Sequence, residues 1–219
     1  MDIKIWAHRG ASGYAPENTL EAFQLAEAMK ADGVELDVQM TRDGQLVVAH
    51  DETIDRVSKG SGYIKDMTFF QLRQFDFNKT HPEYEHAKIP LLEDVLFLLR
   101  SSDMIINIEL KTGLFFYTGI EERVLELTKH MGLNERIWYS SFNHGTLDRI
   151  RRKNPAAQIG VLYSDGLYNP VEYAKNIGAS ALHPAIYNLR CPELKEKCCI
   201  QKMQLHPWTV NTKKDMSLC

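Results

Sequence analysis

The chain has 219 residues, enough for a well-buried core, with 44% hydrophobic and 25% charged residues and a formal net charge of −3. That balance excludes a general nucleic-acid or membrane-surface binder, so any anion recognition has to be local. MDIKIWAHRG has no basic segment leading into a long apolar run, and no stretch reaches transmembrane length, so the expectation is a soluble cytoplasmic protein with no membrane span.

The first predicted strand, Lys4–His8, runs straight into Arg9 and Gly10. A helix over Thr19–Lys30 follows, with Asn18 read as its cap and Glu21 three residues later. The second strand, Gly33–Met40, alternates: Val34, Leu36 and Val38 share one face, Glu35, Asp37 and Gln39 the other. Another apolar run, QLVVAHD, ends at His50. The interval between His50 and Leu91 is too long for a plain strand-to-helix loop, and Phe69, Phe70, Leu72 and Phe75 within it need a surface to pack on. A helix at Leu92–Leu99 leads into the strand Ile105–Leu110, where Asn107, Glu109 and Lys111 oppose Ile106, Ile108 and Leu110.

Beyond it, helices at Gly119–Met131, Gly145–Lys153 and Val171–Asn176 alternate with strands at Arg136–Ser140, Gln158–Leu162, Ala179–His183 and Gln204–Trp208. This rhythm specifies an α/β chain with a mainly parallel sheet, and suggests a (β/α)8 TIM-type barrel. The expected organisation is a single domain over 1–219 with a small insertion after the second strand. No eighth strand fits before Cys219, so the barrel reads as lacking its last βα unit. Cys191, Cys198, Cys199 and Cys219 show no zinc spacing and read as free thiols of a reducing compartment.

Three inward carboxylates, Glu35, Asp37 and Glu109, converge near strand ends, where barrel active sites lie. Desolvating them unpaired is costly. An all-oxygen set suits a hard divalent cation, Mg²⁺ or Ca²⁺, whereas Lys4, Arg9 and Lys111 could instead neutralise them without metal. His8 and His50, both at strand ends, fit a general acid and a general base. Arg9 and Lys111 fit a phosphate, the first by its fork and the second as a point charge.

The blocks AHRGASGYAPENTLEAF, GVELDVQMTRDGQLVVAHDETIDRVSKGSG, IELK and WTVNT resemble the glycerophosphodiester phosphodiesterases from residue 5 to about 216. The resemblance implies a (β/α)8 barrel with an insertion at about 52–88. It also implies catalytic His8 and His50, metal ligands Glu35, Asp37 and Glu109, phosphate contacts Arg9 and Lys111, and Trp208 as an aromatic wall of the substrate pocket. Glu17 is read either as near the metal or as part of the helix start. Asp51 is read as orienting a neighbour, and His183 and Phe142 as pocket lining. His206, His144, His81, His86 and His130 read as surface or packing residues.

The expected activity is metal-dependent hydrolysis of small-molecule glycerophosphodiesters to sn-glycerol 3-phosphate and an alcohol, with no nucleic-acid partner. A lysophospholipase D-like diesterase and a truncated, non-catalytic phosphodiester-binding barrel are the alternatives. The preferred head group and the oligomeric state stay open.

Overall fold

In the computed structural model, residues 3–219 are described and the chain forms two compact units, Met1–Ile137 and Trp138–Cys219. The first contains β1 (Trp6–His8), α1 (Leu20–Ala28), β2 (Gly33–Met40), β3 (Leu46–Val48), α2 (Phe69–Leu72), α3 (Leu92–Leu99), β4 (Ile105–Leu110) and α4 (Ile120–His130). Parallel pairing places β2 between β1 and β4, and β3 folds back antiparallel onto the end of β2. Val34, Leu36 and Val38 on one face of β2 are buried, and so are Asp37 and Gln39 on the other. Burial on both faces is what a parallel sheet imposes, so the acids in β2 need a specific reason to be there.

α1 buries Ala22, Phe23 and Ala26, α3 buries Leu92, Val95, Leu96 and Leu99, and the two helices pack together. Between β3 and α3, Ile54, Val57, Ile64, Leu72 and Phe77 form a core cluster with Val47, Ala49 and Ile89. Phe69 and Phe75 pack partly against it, as the sequence demanded, but Phe70 is 76% exposed.

The second unit holds β5 (Ile137–Ser141), α5 (His144–Lys153), β6 (Gln158–Tyr163), α6 (Pro170–Asn176), β7 (Ala181–Pro184), α7 (Pro192–Ile200), β8 (Gln204–Leu205) and α8 (Lys213–Met216). Parallel pairings run β5–β6, β6–β7 and β7–β8. Gly160 on β6 has to be glycine, because a Cβ there would lie 2.1 Å from Nε2 of the buried His183.

Three local expectations need correction. The cap of α1 is Thr19, whose hydroxyl accepts from the Ala22 amide at 3.4 Å; Asn18 instead stands in the left-handed region at φ 58°. Its side chain is pulled into the interior by a stronger partner, described below. β1 starts at Trp6, and Lys4 is exposed and paired with Asp32 at 3.1 Å, so it neutralises none of the inward acids. α7 was unforeseen because its inward contacts reduce to Leu194 and Cys198, two positions four apart among charged residues.

Candidate active site

Strand register assembles the site. His8 at the end of β1 is the partner of Glu35 on β2, and Asp37 is the partner of Glu109 on β4. Immediately after β1 the chain turns through two left-handed residues, Arg9 (φ 59°) and Gly10 (φ 76°). A Cβ on Gly10 would come within 2.7 Å of the Ala22 backbone, so this reversal against α1 requires glycine. Arg9 bears the left-handed strain itself, roughly 1–2 kcal/mol for an L-residue. Its amide donates to both the backbone carbonyl and Oε2 of Glu35, at 3.0 Å each.

β3 brings the second histidine back. The Ala49 amide donates to the Asp37 carbonyl at 2.9 Å, and His50 comes next in the chain. Gln39, inward like Asp37, donates its side-chain amide to the carbonyls of Ala49 (3.0 Å), His50 (3.3 Å) and Asp51 (2.6 Å). The Tyr117 hydroxyl donates to Gln39 Oε1 at 2.9 Å and so fixes which way that amide points. Gln39 therefore aims the His50 segment. Its alternation with Glu35 and Asp37 was legible, but this role was not.

At the centre, one carboxylate oxygen each from Glu35, Asp37 and Glu109 lie within 4.8 Å of one another. Lys111 Nζ sits 3.0 Å from Glu109 Oε1 and 3.8 Å from Asp37 Oδ1, and Arg9 Nε is 3.6 Å from Asp37 Oδ2. The Asn18 amide donates to Asp37 Oδ2 at 2.8 Å, which is the partner that draws Asn18 inward and leaves Thr19 to cap α1. Asp37 Oδ1 is buried and makes no hydrogen bond.

The electrostatics follow from crowding three acids with two cations. Burial, then the charges of Asp37 and Glu109, raise the Glu35 carboxyl well above the usual range. Burial, then Asp37, raise Glu109 to about 7 despite Lys111. Burial and the neighbouring Arg9 push His8 down to about 4, so its imidazole is neutral near pH 7. The donor set is all oxygen, burial and mutual repulsion raise two of its carboxyls even beside Arg9 and Lys111, and one buried oxygen makes no hydrogen bond. These residues fit a hard divalent cation.

A second network runs outward. His50 Nδ1 is 2.6 Å from Asp51 Oδ1. Arg56 donates from Nε and Nη2 to Asp51 (2.7 and 3.1 Å) and from Nη1 and Nη2 to Glu17 (2.7 Å each). Glu17 also accepts from Arg9 Nη1 at 2.9 Å. Glu17 is thus salt-bridged to both Arg9 and Arg56. Burial opposes the charge on Asp51, but hydrogen bonds from Arg56 and His50 outweigh it and pull the carboxyl down to about 2. The sequence had pointed to Asp51 but not to Arg56, which lies on an irregular turn where no periodicity aims a side chain.

The structure thus brings together His8, Arg9, Glu35, Asp37, His50, Glu109 and Lys111 in the first unit. Trp208 belongs to the second, where its indole N–H donates to the His183 carbonyl at 2.9 Å and its ring meets Phe142 edge-on at 5.7 Å. His183 is buried and within 2.9 Å of His206, so it packs rather than lines an opening. His144 likewise bonds internally, to Tyr173 and the Leu162 carbonyl. A surface cavity of about 400 Å³ beside Phe97 and Arg100 contains none of the chemically matched groups.

Comparison with known proteins identifies the family. Residues 8–219 match the glycerophosphoryl diester phosphodiesterase family. A glycerophosphodiester phosphodiesterase of Caldanaerobacter subterraneus subsp. tengcongensis is 42% identical over 217 residues, covering 99% of this chain and 89% of that one. Among solved structures, a glycerophosphodiester phosphodiesterase from Agrobacterium tumefaciens superposes with a TM-score of 0.85 at 28% identity, over 99% of this chain and 90% of that one. A phosphodiesterase from Oleispira antarctica, solved in complex with the product sn-glycerol-3-phosphate, superposes at 0.86 with 26% identity, over 99% and 88% of the two chains.

Proposed function

The chain belongs to the glycerophosphoryl diester phosphodiesterase family and is an enzyme of that class, and we propose that it hydrolyses glycerophosphodiesters of small alcohols to sn-glycerol 3-phosphate and the free alcohol. The observation that carries this reading is Asp37 Oδ1, buried without a hydrogen bond in a cluster of three carboxylates, with His8 Nε2 3.8 Å from Glu35. The product seen in the Oleispira antarctica relative supports the substrate class. We propose the (β/α)8 barrel of the family as the fold that carries the site, one domain over 1–219 with 52–88 as an insertion.

Glu35, Asp37 and Glu109 would hold the cation, Mg²⁺ or Ca²⁺. When bound, it supplies Lewis-acid polarisation of the phosphoryl oxygens and neutralises their charge. Arg9 and Lys111 bind the remaining phosphate charge, which is what makes an anionic diester a usable electrophile. Arg9 can do so because Glu17 occupies Nη1 and the Glu35 backbone and side chain fix its amide, so the fork presents a set orientation. His8, the neutral imidazole at the end of β1, takes the proton from the attacking oxygen: water gives sn-glycerol 3-phosphate directly, whereas the substrate's own 2-hydroxyl gives a cyclic phosphate that a second displacement, by water, opens to the same product. His50 gives a proton to the departing alcohol, with Asp51 on Nδ1 stabilising the imidazolium that serves as donor. Each turnover moves one proton on and one off, and exchange with solvent resets the pair. Trp208 is retained as a proposed substrate contact on its place in the WTVN block.

We place the enzyme in the cytoplasm from its four free cysteines; no helix among the described residues is long and apolar enough to cross a membrane. The reading is tested by incubating the purified chain with glycerophosphocholine, a lysophospholipid, or neither, in Mg²⁺, in Ca²⁺ or in EDTA. Cation-dependent release of sn-glycerol 3-phosphate from glycerophosphocholine is the expected result. Product from the lysophospholipid alone would move the assignment to a lysophospholipase D-like enzyme, and no product in any cation would defeat it.

A further inference from the structure

Arg56 belongs to none of the groups that would touch substrate or cation, yet its guanidinium makes four hydrogen bonds to two carboxylates from different parts of the chain. Glu17, from the segment between β1 and α1, is held at 2.7 Å by both terminal nitrogens. Asp51, directly after His50, is held by Nε and Nη2 at 2.7 and 3.1 Å. Each of those carboxylates has a second partner that belongs to the reaction: Arg9 Nη1 on Glu17 at 2.9 Å, and His50 Nδ1 on Asp51 at 2.6 Å. The five groups form an unbroken chain from the phosphate-binding guanidinium to the proton-donating imidazole.

We propose that Arg56 is a positioning residue that clamps Glu17 and Asp51 together, and so sets the tautomer and aim of His50 and the orientation of the Arg9 fork. The inference rests on the catalytic reading of His50 and Arg9 given above.

The local fold explains how a half-exposed arginine can serve as a fixed strut. Arg56 rides on a single helical turn closed by the Ser58 amide and hydroxyl on the Ile54 carbonyl. Its neighbours in that turn, Ile54 and Val57, are buried in the core cluster with Val47 and Ala49, so the turn is tied to the strand that delivers His50. Arg is required rather than Lys because only a planar fork can engage two carboxylates along two edges at once. Asp51 accepting from Nδ1–H leaves Nε2 of His50 as the free nitrogen, which is the geometry of an oriented acid–base histidine. Without Arg56, Glu17 would keep only Arg9 and Asp51 only the His50 ring, with nothing to tie the two carboxylates together or hold Asp51 on that ring.

The test compares wild type with Arg56→Gln and Arg56→Lys by long-range ¹H–¹⁵N NMR of His50 at about pH 8, above the ordinary imidazole pKa of about 6.5. Steady-state kinetics on glycerophosphocholine and thermal melts accompany it. In wild type, His50 is expected as the Nδ1–H tautomer. In Arg56→Gln it becomes a mixture, with kcat lower by about 10- to 100-fold, the range for lost outer-shell partners, and KM changed by less than kcat. Arg56→Lys, which keeps the charge but not the fork, stays well below wild type. An unchanged His50 tautomer in Arg56→Gln, or full kcat in Arg56→Lys, overturns the proposal. Should Arg56→Gln fail to fold, the lysine variant decides by the same two readouts. The NMR arm needs no turnover, so a chain inactive on this diester would defeat the assigned reaction while the clamp is still judged on its own.

Discussion

Binding a divalent cation should expel protons, in a number that the carboxylate cluster dictates. With ligand oxygens within 4.8 Å, each like-charged pair repels by about 3–4 kcal/mol at an effective dielectric of about 20. Arg9 and Lys111 cannot neutralise three such acids, so the cation-free site retains protons: Glu109 sits at about 7 and Glu35 well above its ordinary value. Ligation requires the carboxylates deprotonated. Glu109, raised to about 7, holds a proton below that pH which should leave on binding, and the raised Glu35 adds to the release in the same direction. The release should fall as the pH rises past 7.

The same linkage sets stability. Glu109, with its folded value raised, favours the cation-free fold fully below its ordinary 4.5, and this contribution is lost as pH rises through about 7. A cation should therefore stabilise most above pH 7. At 100 times its dissociation constant it adds about 2.7 kcal/mol, or roughly 5–10 °C in melting temperature for a chain of this size. Isothermal titration with Mg²⁺ and Ca²⁺ in buffers of different ionisation enthalpy counts the protons, and Glu109→Gln should reduce both the count and the affinity. No proton release at pH 6, or the same release in Glu109→Gln, would refute the reasoning.

Replacing His8 or His50 by Ala should each lower kcat by at least ~10²-fold with the melting temperature held, and near wild-type turnover of glycerophosphocholine in either variant would remove that residue from the mechanism. Gly160→Ala should destabilise the fold by at least about 1–3 kcal/mol in chemical denaturation, because its Cβ would meet His183 Nε2 at 2.1 Å; an unshifted midpoint would contradict the placement of His183. Asp37→Asn should abolish cation-induced stabilisation, as it removes one charge from the ligand set and disturbs the Asn18 amide contact; a retained shift in melting temperature would show that the cation binds elsewhere.

Strands declared themselves wherever alternation was clean. In β2, Val34, Leu36 and Val38 against Glu35, Asp37 and Gln39 identified both the element and the face that carries its acids, and Asp37 pairs with Glu109 where the two strands lie side by side. The acids and histidines were legible for the same reason, since polar residues in an apolar run carry their own signal. Less was legible where packing overrode local rules. Asn18 was a plausible cap by type, but the buried Asp37 carboxylate on β2 offered a better partner than the helix end did. Gln39 and Tyr117 meet across 78 residues of sequence, and Arg56 acts from a turn with no period, so neither contact had a local pattern to betray it.

The central claim is most directly tested by growing crystals in Mn²⁺ and measuring anomalous scattering at the manganese edge. One strong peak bounded by Glu35, Asp37 and Glu109, lost in Asp37→Asn, is the predicted result. Density that leaves those three carboxylates unligated, with the manganese bound somewhere else on the chain, would contradict it.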